Sequence, residues 1–73
     1  MEIKEDQNME NKYLVVLDAK QPAVHYFTEG TDDFKEVELI VSQWLWTYSD
    51  GHIWVYRKTN DGDKVIKHII LKA

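Results

Sequence analysis

The sequence predicts a small α+β domain with the element order ββαββ, in which one helix packs across a mostly antiparallel sheet. Two β-type runs precede a stretch of helical periodicity, two more follow it, and turn residues separate the runs. The chain has 73 residues, which suffices for one core but not for two. We expect a flexible tail over residues 1–12 and a single domain over residues 13–73. The alternative fold is an all-β meander or a small barrel.

The first two runs predict an N-terminal hairpin. Residues 13–17, Tyr-Leu-Val-Val-Leu, have the β-branched and aromatic composition of a strand. The turn segment that follows ends at Pro22, the only proline of the chain. Residues 23–28 return to β-type composition, so we expect the chain to fold back on itself before residues 29–33 break the hairpin.

The middle of the chain predicts the helix. Thr31 or Asp32 can cap its first amides, and Asp33 with Glu36 has the spacing of a capping box. We expect the helix to stop at residues 49–51, Ser-Asp-Gly. Apolar side chains recur between these signals at three- and four-residue steps, on one stripe of a helix; they are Phe34, Val37, Val41, Trp44, Leu45 and Tyr48.

A hairpin competes with the end of this helix over residues 44–49. Trp44, Trp46 and Tyr48 alternate along the chain there, as they would in a strand. The Asp-Gly pair at residues 50–51 is also a strong signal for a two-residue hairpin turn. Both patterns are well formed and exclude each other, and we favour the helix.

The C-terminal hairpin is the clearest local prediction. Residues 52–58 and 64–71 have strand composition, and the sequence Asn-Asp-Gly-Asp between them is typical of a tight turn. All three glycines of the chain lie at predicted element boundaries. None is therefore left for a glycine-rich loop that binds phosphate.

Composition and charge narrow the function classes. The chain contains no cysteine, and it begins with neither the basic residues nor the apolar stretch of an export signal. We therefore expect a cytoplasmic protein without a membrane role. Residues 1–50 hold four Lys against eleven Asp and Glu, whereas residues 51–73 hold five Lys and Arg against two Asp. Such an acidic chain is a poor general ligand for nucleic acid, and only its C-terminal hairpin is locally basic.

Catalytic and metal-binding constellations are not indicated. Ser49, Asp50 and His52 are the residue types of a catalytic triad, but they lie too close together in a turn to form its linear relay. His25, His52 and His68 are potential zinc ligands on separate strands, without ligand spacing. A chain of this size also has little room for a deep pocket. We predict no enzyme activity, no metal and no cofactor.

The leading functional hypothesis is a protein-binding module, such as an inhibitor or adaptor of a larger protein. On the predicted helix, Leu39 and Trp46 lie away from the apolar stripe and on one side, where they can anchor a partner. Acidic residues at the helix start, Asp32, Asp33 and Glu36, can face a basic partner surface. Should the helix end earlier, Trp46 would instead enter the sheet core.

Two alternatives remain open. The C-terminal hairpin combines aromatic and cationic residues in the manner of single-stranded nucleic-acid binding; this surface comprises Trp54, Tyr56, Arg57, Lys58, Lys64 and Lys67. The chain can also be a small structural homo-oligomer, which gains buried area by pairing an outer strand or the face that carries Leu39 and Trp46.

Overall fold

The computed structural model describes residues 12–72, which form four strands and one helix. The elements are β1 (Tyr13–Gln21), β2 (His25–Thr31), α1 (Phe34–Thr47), β3 (Asp50–Thr59) and β4 (Gly62–Leu71). The predicted α+β fold and its ββαββ order are confirmed, and the all-β alternative is wrong. The predicted tail lies outside the described residues, except for Lys12.

The four strands form one antiparallel sheet in the order β2-β1-β3-β4. β1 is therefore central and pairs on both sides; its Val15, for example, lies opposite Glu29 of β2 and Val55 of β3. The two hairpins of the chain, β1–β2 and β3–β4, meet along the β1–β3 seam. β2 and β4 form the edges of the sheet.

The N-terminal hairpin is longer than predicted. β1 runs on to Gln21, the Gln21–Pro22 peptide bond is cis, and β2 continues to Thr31. The predicted break at residues 29–33 was placed too early, since Gly30 still pairs with Leu14 of β1. Pairing with residues 13–15 of β1 satisfies the backbone groups of residues 29–31 and outweighs their turn-like composition.

The N-cap of α1 is Asp33, as its capping-box spacing with Glu36 predicted, and not Thr31 or Asp32. The side chain of Asp33 accepts a hydrogen bond of 3.0 Å from the backbone N–H of Lys35. Thr31 supports the cap indirectly, because its Oγ1 accepts a 3.2 Å bond from the backbone N–H of Asp33. At the other end, Tyr48 already has extended backbone angles. The helix therefore stops before the predicted residues 49–51.

The helical assignment of residues 44–47 is confirmed, and the competing hairpin is wrong. Val37 is the buried residue of α1, and Ile40, Val41 and Trp44 pack against the core from the same side. Leu45 was predicted to belong to this stripe but is exposed. Ile40 and Leu45 flank the centre of the stripe on opposite sides, so the periodicity alone could not distinguish them.

The core lies between α1 and one face of the sheet, which we call the covered face. Alternate residues of the two central strands supply its floor, since successive side chains of a strand point to opposite sides. The side chains enclosed there are aliphatic: Val15, Leu17, Ala19, Val37, Ile53, Val55 and Leu71. Burial of such side chains stabilises the fold by about 1.5–3 kcal/mol for each large one.

A β-bulge interrupts the pairing of β3 with β4. Tyr56 lies opposite Val65, but the preceding residue, Val55, lies opposite Lys67, so Ile66 is an extra residue in β4. Beyond the bulge, the register of the hairpin is shifted by one residue. Each residue of β3 there lies opposite the β4 residue that comes one position later in the sequence than it would in an uninterrupted hairpin. Trp54 consequently lies opposite His68.

Candidate protein-binding surfaces

The first candidate surface is the side of α1 that points away from the sheet, which we call the outer helix face. Trp46 is 90 % exposed and Leu39 is 60 % exposed. The two residues are seven positions apart, which is two helical turns and about 10 Å along the axis. The predicted exposure of this pair is thus confirmed, and the two side chains lie on one side of a regular helix.

The acidic residues at the helix start have local partners of their own. Asp32 Oδ1 accepts a 3.0 Å hydrogen bond from the backbone N–H of Lys12, and Asp33 caps the helix. Glu36 is exposed in the first turn, within about 60° of Leu39 around the helix axis. Of the three predicted acidic contacts, Glu36 therefore lies on the outer helix face, and Asp32 and Asp33 flank its beginning.

The second candidate surface is the sheet face opposite α1, which we call the open face. Within residues 12–72, the one helix packs on the other side of the sheet, against β1 and β2. The centre of the open face is aromatic and aliphatic, and its outer positions on β4 are exposed. Strand alternation and register place the following aromatic and aliphatic residues of β1, β3 and β4 there: Leu14, Val16, His52, Trp54, Tyr56, Val65, His68 and Ile70.

Three aromatic rings form a cluster on the open face. His52, Trp54 and His68 are nearly parallel, with interplanar angles of 4°, 14° and 18° and centroids 5.0–5.1 Å apart. His52 Nδ1 lies 2.9 Å from His68 Nε2. The sequence did not predict this contact, because it depends on the bulge that brings His68 opposite Trp54.

The two imidazoles are hydrogen-bonded along the line between their centres. The 5.1 Å between the centroids nearly equals the 2.9 Å between the nitrogens plus the two ring radii. One nitrogen donates and the other accepts, as neutral imidazole allows. Because the nitrogens point at each other, they do not converge on a third point where a metal ion could sit.

The predicted nucleic-acid residues are divided between the two faces of the sheet. Trp54, Tyr56 and Lys58 lie on the open face, where Lys58 Nζ is 3.9 Å from Asp63 Oδ1. Arg57 and Lys64 pair with each other on the covered side, and the Arg57 guanidinium lies 6.0 Å from the centre of the Tyr13 ring. The structure therefore does not interleave the aromatic residues with most of the cations.

Lys67 lies on the covered side because of the bulge. In an uninterrupted hairpin it would face Trp54, whereas here it faces Val55. It borders a shallow groove of about 470 Å³ between α1 and β4. The opposite wall of this groove comes from the helix and consists of Phe34, Val37, Glu38, Val41 and Ser42.

Among the described residues, the three histidines considered as zinc ligands do not converge on one point. His25 lies apart from the other two histidines, with its Nδ1 3.2 Å from the hydroxyl of Tyr48. Over the described range, no three His, Cys, Asp or Glu side chains are grouped so that they could hold a metal ion. In the same range, no helix combines the length and the apolar character needed to cross a membrane.

Comparisons with known proteins give no family or relative. Neither the models of protein families, nor the curated proteins, nor the solved structures contain a match to this chain.

Proposed function

We propose that this chain is a protein-binding module that docks through its outer helix face. The observation that carries the proposal is the 90 % exposure of Trp46 on a regular helix. Trp is on average a highly buried residue, and it is enriched among the residues that dominate the energy of protein interfaces. Leu39, two turns away on the same side, supplies a second apolar anchor.

The partner expected from this surface has an apolar groove bordered by Lys or Arg. An amphipathic helix that binds in a groove uses anchors at spacings of three, four and seven residues, and Leu39 with Trp46 has the last of these spacings. Glu36 beside the anchors and Asp32 and Asp33 before them make the start of the helix acidic. Basic residues around the groove would accelerate association and make it sensitive to salt. An inhibitor or adaptor of a larger protein acts through a surface of this kind.

The test is capture of the partner from a lysate of the native host with the immobilised chain, followed by binding measurements with the purified partner. Trp46→Ala should weaken binding by about 2 kcal/mol, or roughly thirtyfold. Leu39→Ala should have a smaller effect in the same direction. Circular dichroism of each variant checks that the fold is retained.

The matched control is Ile70→Ala, which removes an exposed apolar side chain on the opposite side of the molecule. We expect this variant to bind the partner as the unchanged chain does. If folded Trp46→Ala and Ile70→Ala bind equally well, the outer helix face is not the docking surface.

A further inference from the structure

The open face has the character of an interior surface although nothing within residues 12–72 covers it. Val16 at its centre is buried between neighbouring side chains, and His52, Trp54 and Tyr56 are half-buried. Val65 and Ile70, on the edge strand, are 52 % and 55 % exposed. A sheet with an apolar face is stable in water when a second layer packs on that face, and here α1 supplies a layer on one side alone.

We infer that the open face binds the open face of a second copy of this chain, so that two sheets pack face to face in a homodimer. This inference is independent of the proposed docking through the outer helix face, because α1 lies on the other side of the sheet. In such a dimer, the two outer helix faces would point away from each other and remain accessible. The dimer would therefore present two copies of the proposed docking surface.

The charges at the two ends of the open face favour a second copy as the occupant. Asp18 lies opposite His52 at one end, and Lys58 with Asp63 lies at the other end. A two-fold axis in the interface and perpendicular to the strands would place Lys58 of each copy near Asp18 of the other. On the same face, the carboxylate of Asp63 lies 3.9 Å from Lys58 Nζ and weakens the attraction of this cation for a phosphate.

The open face is large enough to contribute a substantial part of a dimer interface. Four strands and about seven residues of shared pairing give a face about 19 Å wide and about 23 Å long. This flat footprint of about 440 Å² is about half of the accessible area of about 800 Å² per partner that is typical of specific interfaces, and the relief of the side chains narrows that difference. An isologous contact of this kind uses the same patch on both copies.

The histidine pair lowers the cost of covering the face. A buried polar atom without a partner is unfavourable, but His52 Nδ1 and His68 Nε2 already bond to each other at 2.9 Å. Aromatic side chains also supply large contact area with little loss of conformational freedom. The centre of the open face can thus leave water without stranding these two nitrogens.

The first experiment measures the oligomeric state by sedimentation velocity over a broad range of protein concentrations. We expect the full chain to form dimers, and Ile70→Glu, which places a carboxylate in the interface, to raise the dissociation constant at least roughly a hundredfold. Leu39→Glu is the matched control, because it introduces the same charge at a similarly exposed apolar residue on the outer helix face. It should dimerise as the unchanged chain does.

Two results would overturn the inference. One is a full chain that remains monomeric up to millimolar concentration. The other is a folded Ile70→Glu variant that dimerises as well as Leu39→Glu does. Circular dichroism at low concentration distinguishes loss of assembly from loss of fold.

A charge exchange tests the orientation of the two copies. Lys58→Asp and Asp18→Lys should each weaken the dimer severalfold, because each places like charges near one another across the interface. The double variant restores opposite charges and should recover most of the affinity. Failure of the double variant to exceed both single variants would overturn the proposed two-fold arrangement.

Discussion

The two faces of the sheet are built from the same strands but differ in chemistry. On the covered face, Leu17 and Ile53 are 0 % exposed and lie in an aliphatic core beneath α1. On the open face, the alternate residues of β3 are His52, Trp54 and Tyr56, which are half-buried. The comparison separates two surfaces: the covered face holds the enclosed core, and the open face is the one that we propose for contact with a second copy.

The strongest test of this division is the truncation of one apolar residue on each face. Leu17→Ala leaves a cavity in the enclosed core and should lower the free energy of unfolding by about 2–5 kcal/mol. Ile70→Ala removes a side chain that is already 55 % exposed, and should cost less than about 1 kcal/mol. Urea denaturation at low protein concentration, where a dimer would dissociate, measures both values. Equal losses of unfolding free energy in the two variants would contradict the proposed difference between the two faces.

A second test concerns the approach of β3 to β1 at Gly51. This glycine has φ +140°, and a Cβ added to it would lie 2.7 Å from Cα of Ala19 and closer still to the carbonyl oxygen of Asp18. Gly51→Ala therefore combines backbone strain of about 1–3 kcal/mol with a collision against the backbone. We expect urea denaturation to give a large loss of stability.

Gly62→Ala is the control for this substitution. Gly62 also has a positive φ, +112°, but a Cβ there would meet nothing within 4 Å. Gly62→Ala therefore measures the cost of the backbone strain alone. Gly51→Ala should lower the free energy of unfolding by at least about 1 kcal/mol more than Gly62→Ala does. If Gly62→Ala lowers the free energy of unfolding as much as Gly51→Ala does, the close approach of Gly51 to β1 does not contribute to the loss of stability.

A third test destabilises α1, the helix that packs on the covered face. Asp33→Ala removes the side chain that caps α1 through the Lys35 amide, and should cost about 1 kcal/mol. Asp33→Asn keeps an accepting oxygen and should recover most of that loss, as followed by thermal unfolding. A full loss in Asp33→Asn would indicate that the negative charge near the helix start, not the hydrogen bond, is what stabilises α1.

The smallest expected effect belongs to the open face. A double-mutant cycle with His52→Ala and His68→Ala, which are diagonal neighbours on adjacent strands, should give a coupling energy of about 0.2–1 kcal/mol. Urea denaturation of the four proteins at low concentration supplies the values. A coupling energy near zero would mean that the 2.9 Å contact between the imidazoles adds nothing to stability.

Local signals in the sequence were sufficient to predict the elements and their order. Periodicity identified the stripe of α1 that packs on the core, and it also left Leu39 and Trp46 on the outer side. The boundaries were less accurate. The sequence offered Thr31, Asp32 and Asp33 as caps, and hydrogen bonding selects Asp33. The extension of β2 to Thr31 depends on strand pairing, which composition does not encode.

The two faces of the C-terminal hairpin could be predicted only in part. Alternation already separates Arg57 from Trp54 and Tyr56, a consequence that the interpretation as a nucleic-acid surface overlooked. The position of Lys67 could not be predicted in this way, because counting back from the turn places it opposite Trp54. Because of the bulge, His68 and not Lys67 lies opposite Trp54. The extra residue, Ile66, is not marked by any turn signal in the sequence. The strand order, with β1 next to β3, likewise depends on contacts distant in sequence.

The bulge at Ile66 also has a consequence for the rim of the molecule. β4 is an edge strand of ten residues, and a long, regular edge invites lateral growth by addition of further strands, which leads to fibrils. The extra residue divides β4 into two short regular stretches, residues 62–65 and 67–71, and twists them relative to each other. A strand of another molecule could therefore not pair continuously with the exposed edge of β4. This protection of the edge leaves the open face of the sheet accessible.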